Sequence, residues 1–243
     1  MKNHISLKAV SFRYGKGTFV LENINLNVAS GEKIGIVGAN GVGKSTLLRL
    51  LVGLETGYEG SITVGGMDVT RDNIIDVRKK IGYVFQDADS QMFLSNVFDN
   101  VAFGPSNYGN AKEEVLQMVQ DALRAVQIEH LKNRPIYQLS GGEKKLASIA
   151  TILAMRPDIV LLDEPSVTLD PKNRRNLIHI LNGLPQTMLI ASHDLDFIMD
   201  TCDRTVLFYN GKIAVDGSSR DILFNKALME ENGLELPLSA IKR

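Results

Sequence analysis

Apolar positions recur along this chain with two periods, and the switches between them predict its elements. From Ile5 to Val37 the spacing is close to two. Leu7, Ala9 and Val10 come first, then Phe19-Val20-Leu21, then Ile24, Leu26 and Val28 alternating with Asn and Glu, which reads as β structure. Ser30-Gly31-Glu32 is a turn before a short, continuously apolar strand at 34–37. Leu47, Leu48, Leu50, Leu51 and Leu54 then step at helical spacing, with Gly53 placed to end that helix. Residues 61–64, Gly65-Gly66 and 67–69 read as strand, turn, strand, and 81–85 as a further strand. Helices are predicted over 96–103 and 111–126. In the second, Val115, Met118, Val119, Ala122, Leu123 and Val126 make an apolar stripe read as core, with Glu113 and Glu114 at its N-terminal end.

Ser140-Gly141-Gly142-Glu143 opens a third helix with a capping-box pattern. Leu146, Ile149, Ala150, Leu153 and Ala154 carry its buried face. Each glycine costs about 1 kcal/mol against alanine in a helix interior, so the pair suggests that something approaches the backbone there. Residues 159–162 form a short apolar strand. Asp170-Pro171 reads as N-cap and N1 of a helix reaching about Leu181. A strand at 187–191, a short helix capped by Asp194, a hairpin turning at Asn210-Gly211 and a short helix at 220–224 follow. Strands alternating with helices predict an α/β fold. Residues 1–86 and 156–224 form its core, 87–155 a helical insertion and 225–243 a C-terminal tail with no readable period.

Composition narrows the function. The chain is 44% hydrophobic with a net charge of −1, so nothing favours a nucleic-acid partner over the whole surface. The basic clusters Arg78-Lys79-Lys80, Lys144-Lys145 and 172–175 are short and read as solvated faces. A single cysteine, Cys202, excludes a disulfide framework and a cysteine-based zinc site. The N-terminal segment Met1 to Ser6 has no apolar signal-peptide core, and no run approaches the ~18 apolar residues that span a bilayer. A membrane role would run through a partner.

The chemistry centres on Gly38-Ala39-Asn40-Gly41-Val42-Gly43-Lys44-Ser45-Thr46, the G-x-x-x-x-G-K-S pattern of a phosphate-binding P-loop in its required strand–turn–helix context. Glycines let backbone N–H groups converge on a phosphate chain, and the helix beginning near Lys44 aims its positive end at the same anion. Lys44 can reach the β and γ phosphates, and the Ser45 hydroxyl can ligate Mg²⁺. Three other apolar strands end in Gln86, Asp163-Glu164 and His193. Ligands bind at the carboxyl ends of strands in parallel sheets, so these ends should share one rim. Asp163 fits a Mg²⁺-holding acid, Glu164 a group that orients or deprotonates water, His193 a γ-phosphate contact, and Gln86 a contact to Mg²⁺ or water. Tyr14, in a glycine-rich loop, is either an adenine-stacking ring or an ordinary surface tyrosine.

These residues carry a resemblance. The P-loop, Leu139-Ser140-Gly141-Gly142-Glu143, the strand ending Leu161-Leu162-Asp163-Glu164-Pro165, 166–170 and Ser192-His193-Asp194 match, in order and spacing, the ATP-binding subunits of ABC transporters over roughly residues 5–224. Residues 83–93 and 101–105 resemble the cobalt-type and energy-coupling-factor importer ATPases, which power uptake of transition metals or vitamins. The resemblance implies one cassette over 1–243: a RecA-like P-loop NTPase core with an N-terminal antiparallel β subdomain and a helical insertion carrying the signature. It also implies ATP and Mg²⁺, adenine stacking by Tyr14, and a second ATPase subunit, identical or paralogous, whose γ-phosphate meets Ser140, Gly141 and Gly142. Asp170 resembles the aspartate linking the two sites. An integral membrane subunit would dock near Gln86 and the helical insertion, placing the chain at the cytoplasmic face of the membrane. Glu143, Leu146 and Val167-Thr168 depart from the residues common at those positions. A soluble ABC ATPase acting on nucleic acid or ribosomes, and a clamp that binds ATP without useful hydrolysis, are the competing readings; a single cassette with a compact insertion weighs against the first, and Glu164 against the second.

Overall fold

Alternation builds the first layer. In the computed structural model, which describes residues 3–241, strand β1 (Asn3–Phe12) pairs antiparallel with β2 (Leu21–Ala29), Leu7 opposite Leu26. Met1 and Lys2 of the N-terminal reading, and the last two residues of the tail, lie outside the described residues. Leu21, Ile24, Leu26 and Val28 are buried while the intervening polar residues are exposed. Phe19 and Val20 make no strand of their own; they lead into β2, and Phe19 is exposed. Strand β3 (Lys33–Val37) runs into the P-loop, and helix α1 (Lys44–Leu51) leaves it. Gly53 ends α1 in the left-handed region at φ +63°, which leaves Leu54 outside the helix and exposed. Strands β4 (Glu59–Val64) and β5 (Met67–Asp68) complete a four-stranded sheet of order β2-β1-β4-β5.

The chain then enters the second sheet. Helix α2 (Ile74–Lys80) leads into β6 (Ile81–Val84). The helical stretch that follows contains α3 (Val97–Asn107), α4 (Lys112–Ala125) and α5 (Gly141–Leu153), packed on one another. Strand β7 (Ile159–Asp163), α6 (Pro171–Gly183), β8 (Thr187–Ala191), α7 (Leu195–Thr201) and β9 (Arg204–Tyr209) follow. The hairpin partner β10 (Lys212–Ser218) precedes α8 (Ser219–Leu223), α9 (Lys226–Glu231) and α10 (Leu238–Ile241). The six-stranded order is β10-β9-β3-β8-β7-β6, parallel except for β10.

This sheet divides two cores. Along β7, Ile159 and Leu161 join the cluster containing α1 and the antiparallel sheet, while Val160 and Leu162 join the helices α3 to α7 on the other face. Strands buried on both faces need the continuous apolar runs seen in the sequence. The segment 87–155 therefore shares a core with one face of the sheet. The tail also packs inward: Met229 is fully buried, and the N–H groups of Leu238 and Ser239 donate to the Asp196 carboxylate at 2.9 and 3.0 Å.

Candidate functional site

The ends of β3, β6, β7 and β8 lie on one rim because these strands are parallel and paired in register, Val84 opposite Leu162 and Asp163 opposite Ala191. They surround a cleft of about 420 Å³ lined by Asn40, Gly41, Gly43, Lys44, Ser45, Thr46, Gln86, Glu164, Val167 and His193, within the size range of small-ligand sites. The sequence expectation of one shared rim holds.

The loop's shape requires glycine at two tight places. Gly38 has φ +151°, and a Cβ there would lie 2.5 Å from the Phe208 carbonyl oxygen. Gly43 has φ +108°, and its Cβ would meet Leu21 at 2.7 Å. Gly43 is also the N-cap of α1 and offers no side-chain acceptor, so the first N–H groups of α1 are left for an anion. The Lys44 ammonium curls back onto the carbonyl oxygens of Gly38 and Ala39 at 2.8 and 3.1 Å. Burial lowers its proton affinity below the usual lysine value, with Glu164 and then Asp163 pulling in the opposite direction. Val42 packs against the core beside α1.

Asp163, at the end of β7, faces α1. Its Oδ1 accepts from Ser45 Oγ at 2.9 Å, and its Oδ2 accepts from the Tyr83 hydroxyl at 2.8 Å. It therefore stands behind Ser45, without lining the cleft itself. Two hard oxygen donors beside an anion site suit Mg²⁺, which is commonly held by one or two carboxylates together with phosphate oxygens.

Glu164 follows with φ +45°, an uncommon backbone state of the kind that clusters at functional sites. The twist turns its side chain toward the end of β8. There Oε2 accepts from His193 Nδ1 at 2.8 Å, from the His193 backbone N–H at 3.2 Å and from Ser192 Oγ at 3.3 Å. Among the described residues no donor meets Oε1, although Glu164 is only 7% exposed. The residue after His193 is fixed in its turn. Asp194 caps α7 by accepting from the Phe197 N–H, and the Arg174 guanidinium donates to both its oxygens at 2.7 and 2.9 Å. Burial acts to raise the Asp194 carboxyl, but the hydrogen bonds from Arg174 and Phe197 bring it below its ordinary value.

Gln86 stands at the cleft rim. The Lys145 ammonium, from α5, donates to the carbonyl oxygens of Phe85 and Gln86 at 3.0 and 2.7 Å. Lys145 is 3% exposed, and burial pulls it down to about 8. The solvated-face reading of the basic clusters therefore fails at two places. Lys145 is interior and Arg174 is half-buried and committed to Asp194, whereas Arg78 stays exposed while donating to the carbonyl oxygens of Val52 and Gly53 at the end of α1. Lys145 sits four residues before Ile149, which places it beside the apolar stripe of α5 and was the available signal.

Other expected residues stand apart from the cleft. Tyr14 flanks α1, half-exposed, its ring edge-on to Phe12 and its hydroxyl 3.3 Å from Thr46 Oγ1 and 3.2 Å from Glu55. Ser140, Gly141 and Gly142 open α5 outside the cleft. The capping box forms as expected, Ser140 Oγ accepting from the Glu143 N–H and Glu143 accepting from the Ser140 N–H. The two glycines differ. A Cβ on Gly141 would meet nothing within 4 Å, whereas one on Gly142 would lie 2.6 Å from the Asn173 side chain. What approaches Gly142 is thus part of this chain. Asn173 in turn donates to Asp170, the cap of α6, at 2.6 Å.

Comparison with known proteins agrees with this geometry. The family model described as "ABC transporter" matches residues 21–167. A relative from Geobacter sulfurreducens, named a putative ABC transporter ATP-binding protein, is 45% identical over 98% of this chain and 96% of its own length. The energy-coupling factor transporter ATP-binding protein EcfA of Carboxydothermus hydrogenoformans is 42% identical over 96% of this chain and 87% of its own. The solved structure of cbiO1 from Clostridium perfringens, described as part of the ABC transporter complex cbiONQ, superposes with a TM-score of 0.87 at 33% identity, covering 100% of this chain and 99% of that one.

Proposed function

The chain belongs to the ABC transporter ATP-binding family and is an ATPase, and from that footing we propose that it is the motor of an importer of the cobalt or energy-coupling-factor type, powering uptake of a metal ion or vitamin through a membrane partner. The observation that carries the reading is the split of the phosphate-binding apparatus. The P-loop cleft holds the cation-side pair Ser45–Asp163 and the base-side pair Glu164–His193. The N-terminus of α5, capped by Ser140 and Glu143 but with Gly141 facing free space, lies outside that cleft. A second cassette, identical or paralogous, set head to tail would bring its α5 to this chain's ATP. Relatives named as transporter subunits support the membrane partner. Among the described residues no helix is long and apolar enough to cross a membrane, which fits a peripheral subunit on the cytoplasmic face.

In this reading ATP stacks on Tyr14 and lies in the loop from Gly38 to Thr46, its phosphates meeting the free amides of α1 and Lys44. Ser45, Asp163 and Gln86 would hold Mg²⁺, whose chemistry is to neutralise charge on the β and γ phosphates. Glu164 Oε1 takes a proton from the attacking water, while Oε2 stays fixed on Ser192 and His193. With Nδ1 committed to Glu164, His193 turns Nε2 to the γ-phosphate. Ser140, Gly141 and Gly142 of the second cassette close the site from the other side. Glu164→Gln keeps the geometry and removes the base: ATP binding is retained, turnover falls by several hundredfold or more (general-base catalysis typically contributes about 10²–10⁴-fold), and a closed dimer accumulates on gel filtration with ATP. Hydrolysis at the wild-type rate would overturn the assignment. The importer reading is tested by affinity isolation from detergent-solubilised membranes, in which a multi-span membrane protein is expected. Recovery of ribosomes or nucleic acid alone would replace it with the soluble reading.

A further inference from the structure

Asp163 has both carboxylate oxygens engaged inside the protein, and only one of the two donors is a P-loop residue. The other is the Tyr83 hydroxyl, on β6, 2.8 Å from Oδ2. Both residues are buried, Asp163 at 3% and Tyr83 at 7% exposure. Strand pairing fixes their separation: Tyr83 is in register with Leu161, two residues before Asp163 and on the same face of β7. The phenol ring is wedged edge-on against Phe85, centroids 4.8 Å apart, and the Arg49 guanidinium lies beside its hydroxyl. Its neighbours in the core are largely aliphatic, so an apolar residue would fill the space. A buried hydroxyl there costs free energy unless it is bonded, and Asp163 is the acceptor that makes its burial tolerable.

We propose that Tyr83 is a positioning residue for the divalent cation that accompanies ATP, acting through Asp163. The inference rests on the reading of Asp163 as the carboxylate on the Mg²⁺ side. The terminal torsion of an aspartate is broad and roughly two-fold, so an untethered carboxylate presents either oxygen over a range of angles. Tyr83 holds Oδ2 and leaves Oδ1 as the oxygen aimed at Ser45. Ser45 Oγ and Oδ1 would hold the cation, with Oδ1 already aimed at that hydroxyl. Tyr83 touches neither cation nor nucleotide. Removing a partner that orients a metal-binding carboxylate typically costs about 10–100-fold in metal affinity.

The test is Tyr83→Phe, which deletes one oxygen and keeps the ring. Binding of a fluorescent, non-hydrolysable ATP analogue is followed as Mg²⁺ is raised, and separately in EDTA. The half-saturating Mg²⁺ concentration is expected to rise about tenfold, with affinity in EDTA unchanged and the melting temperature within a few degrees of wild type. An unchanged Mg²⁺ half-saturation overturns the inference, and so does an equal loss of binding with and without Mg²⁺, which marks a packing defect. Asp163→Asn separates the two levels. If it shifts the Mg²⁺ dependence and Tyr83→Phe does not, only the role of Tyr83 fails. If neither shifts it, the assignment of Asp163 fails as well.

Discussion

Lys145 gives the sharpest test of how this interior is built. Its ammonium is buried and meets two carbonyl oxygens, those of Phe85 and Gln86, and among the described residues no carboxylate is in hydrogen-bonding contact with it. Burial draws it from the ordinary 10.5 to about 8, with Asp87 and Asp163 only partly offsetting the loss of water. The folded chain therefore binds this proton less tightly than the unfolded chain. Below about pH 8 both states are protonated and the charged lysine is a constant burden on the fold. Between about 8 and 10.5 the unfolded chain holds a proton that the native chain has released, so stability rises with pH across that window. The gap between 10.5 and about 8 converts, at about 1.4 kcal/mol per tenfold change in proton affinity, to about 3 kcal/mol. Lys145→Met keeps the length of the side chain and removes the titration. Urea unfolding of both proteins at about pH 7, 9 and 10 gives the difference in stability, in which most other titrations cancel. The wild type is expected to gain on the variant by roughly 1–3 kcal/mol between the first and last pH. A difference that stays level or falls over this range would refute the buried-cation account and return Lys145 to the surface.

Arg174→Met removes the two hydrogen bonds to Asp194 and leaves a half-buried carboxylate without its cation. It should cost about 2 kcal/mol, measured by denaturation, and lower kcat more than it raises KM, because His193 precedes the loosened residue. An equal change in both constants would deny the link to His193. The signature glycines should separate fold from function. Gly141→Ala meets open space and is expected to leave stability within about 0.5 kcal/mol while depressing ATPase activity if its amide serves a second cassette. Gly142→Ala displaces Asn173 from Asp170 and should cost about 1–2 kcal/mol. If Gly141→Ala proves the more destabilising of the two, the contacts around α5 have been misassigned.

The rim of the site was legible because each strand reaching it is a short apolar run ending abruptly in polar residues, as at 159–162 followed by Asp163 and Glu164. Caps were legible for the same local reason: Ser140, Asp170 and Asp194 each accept from backbone two or three residues onward. What escaped is non-local. Lys145 is buried by a segment about 60 residues earlier and Tyr83 finds its acceptor 80 residues later, and neither distance leaves a trace in periodicity. Lys144 beside Lys145 made a charged pair that resembled a wet face, although one side chain reaches Asp89 and the other turns inward. Helix α2 was missed because it is short and Ile75 points to solvent, and the tail because its buried residues follow no single period. Gly141 and Gly142 looked alike in sequence; only the position of Asn173 tells them apart.

The division of β7 between two cores has a further consequence. Strand alternation turns Asp163 to the face of β7 that carries α1, and the left-handed φ of +45° at Glu164, the first residue beyond the strand, turns the next side chain to the end of β8. No flexible segment has to fold over to bring them there. Ser45 and Asp163 are 118 residues apart in sequence, yet their meeting is already decided by which strands lie side by side. The strand order that forms the sheet is thus also what brings the candidate site residues together. Whatever unpairs these strands therefore separates Ser45 from Asp163 and Glu164 from His193 together.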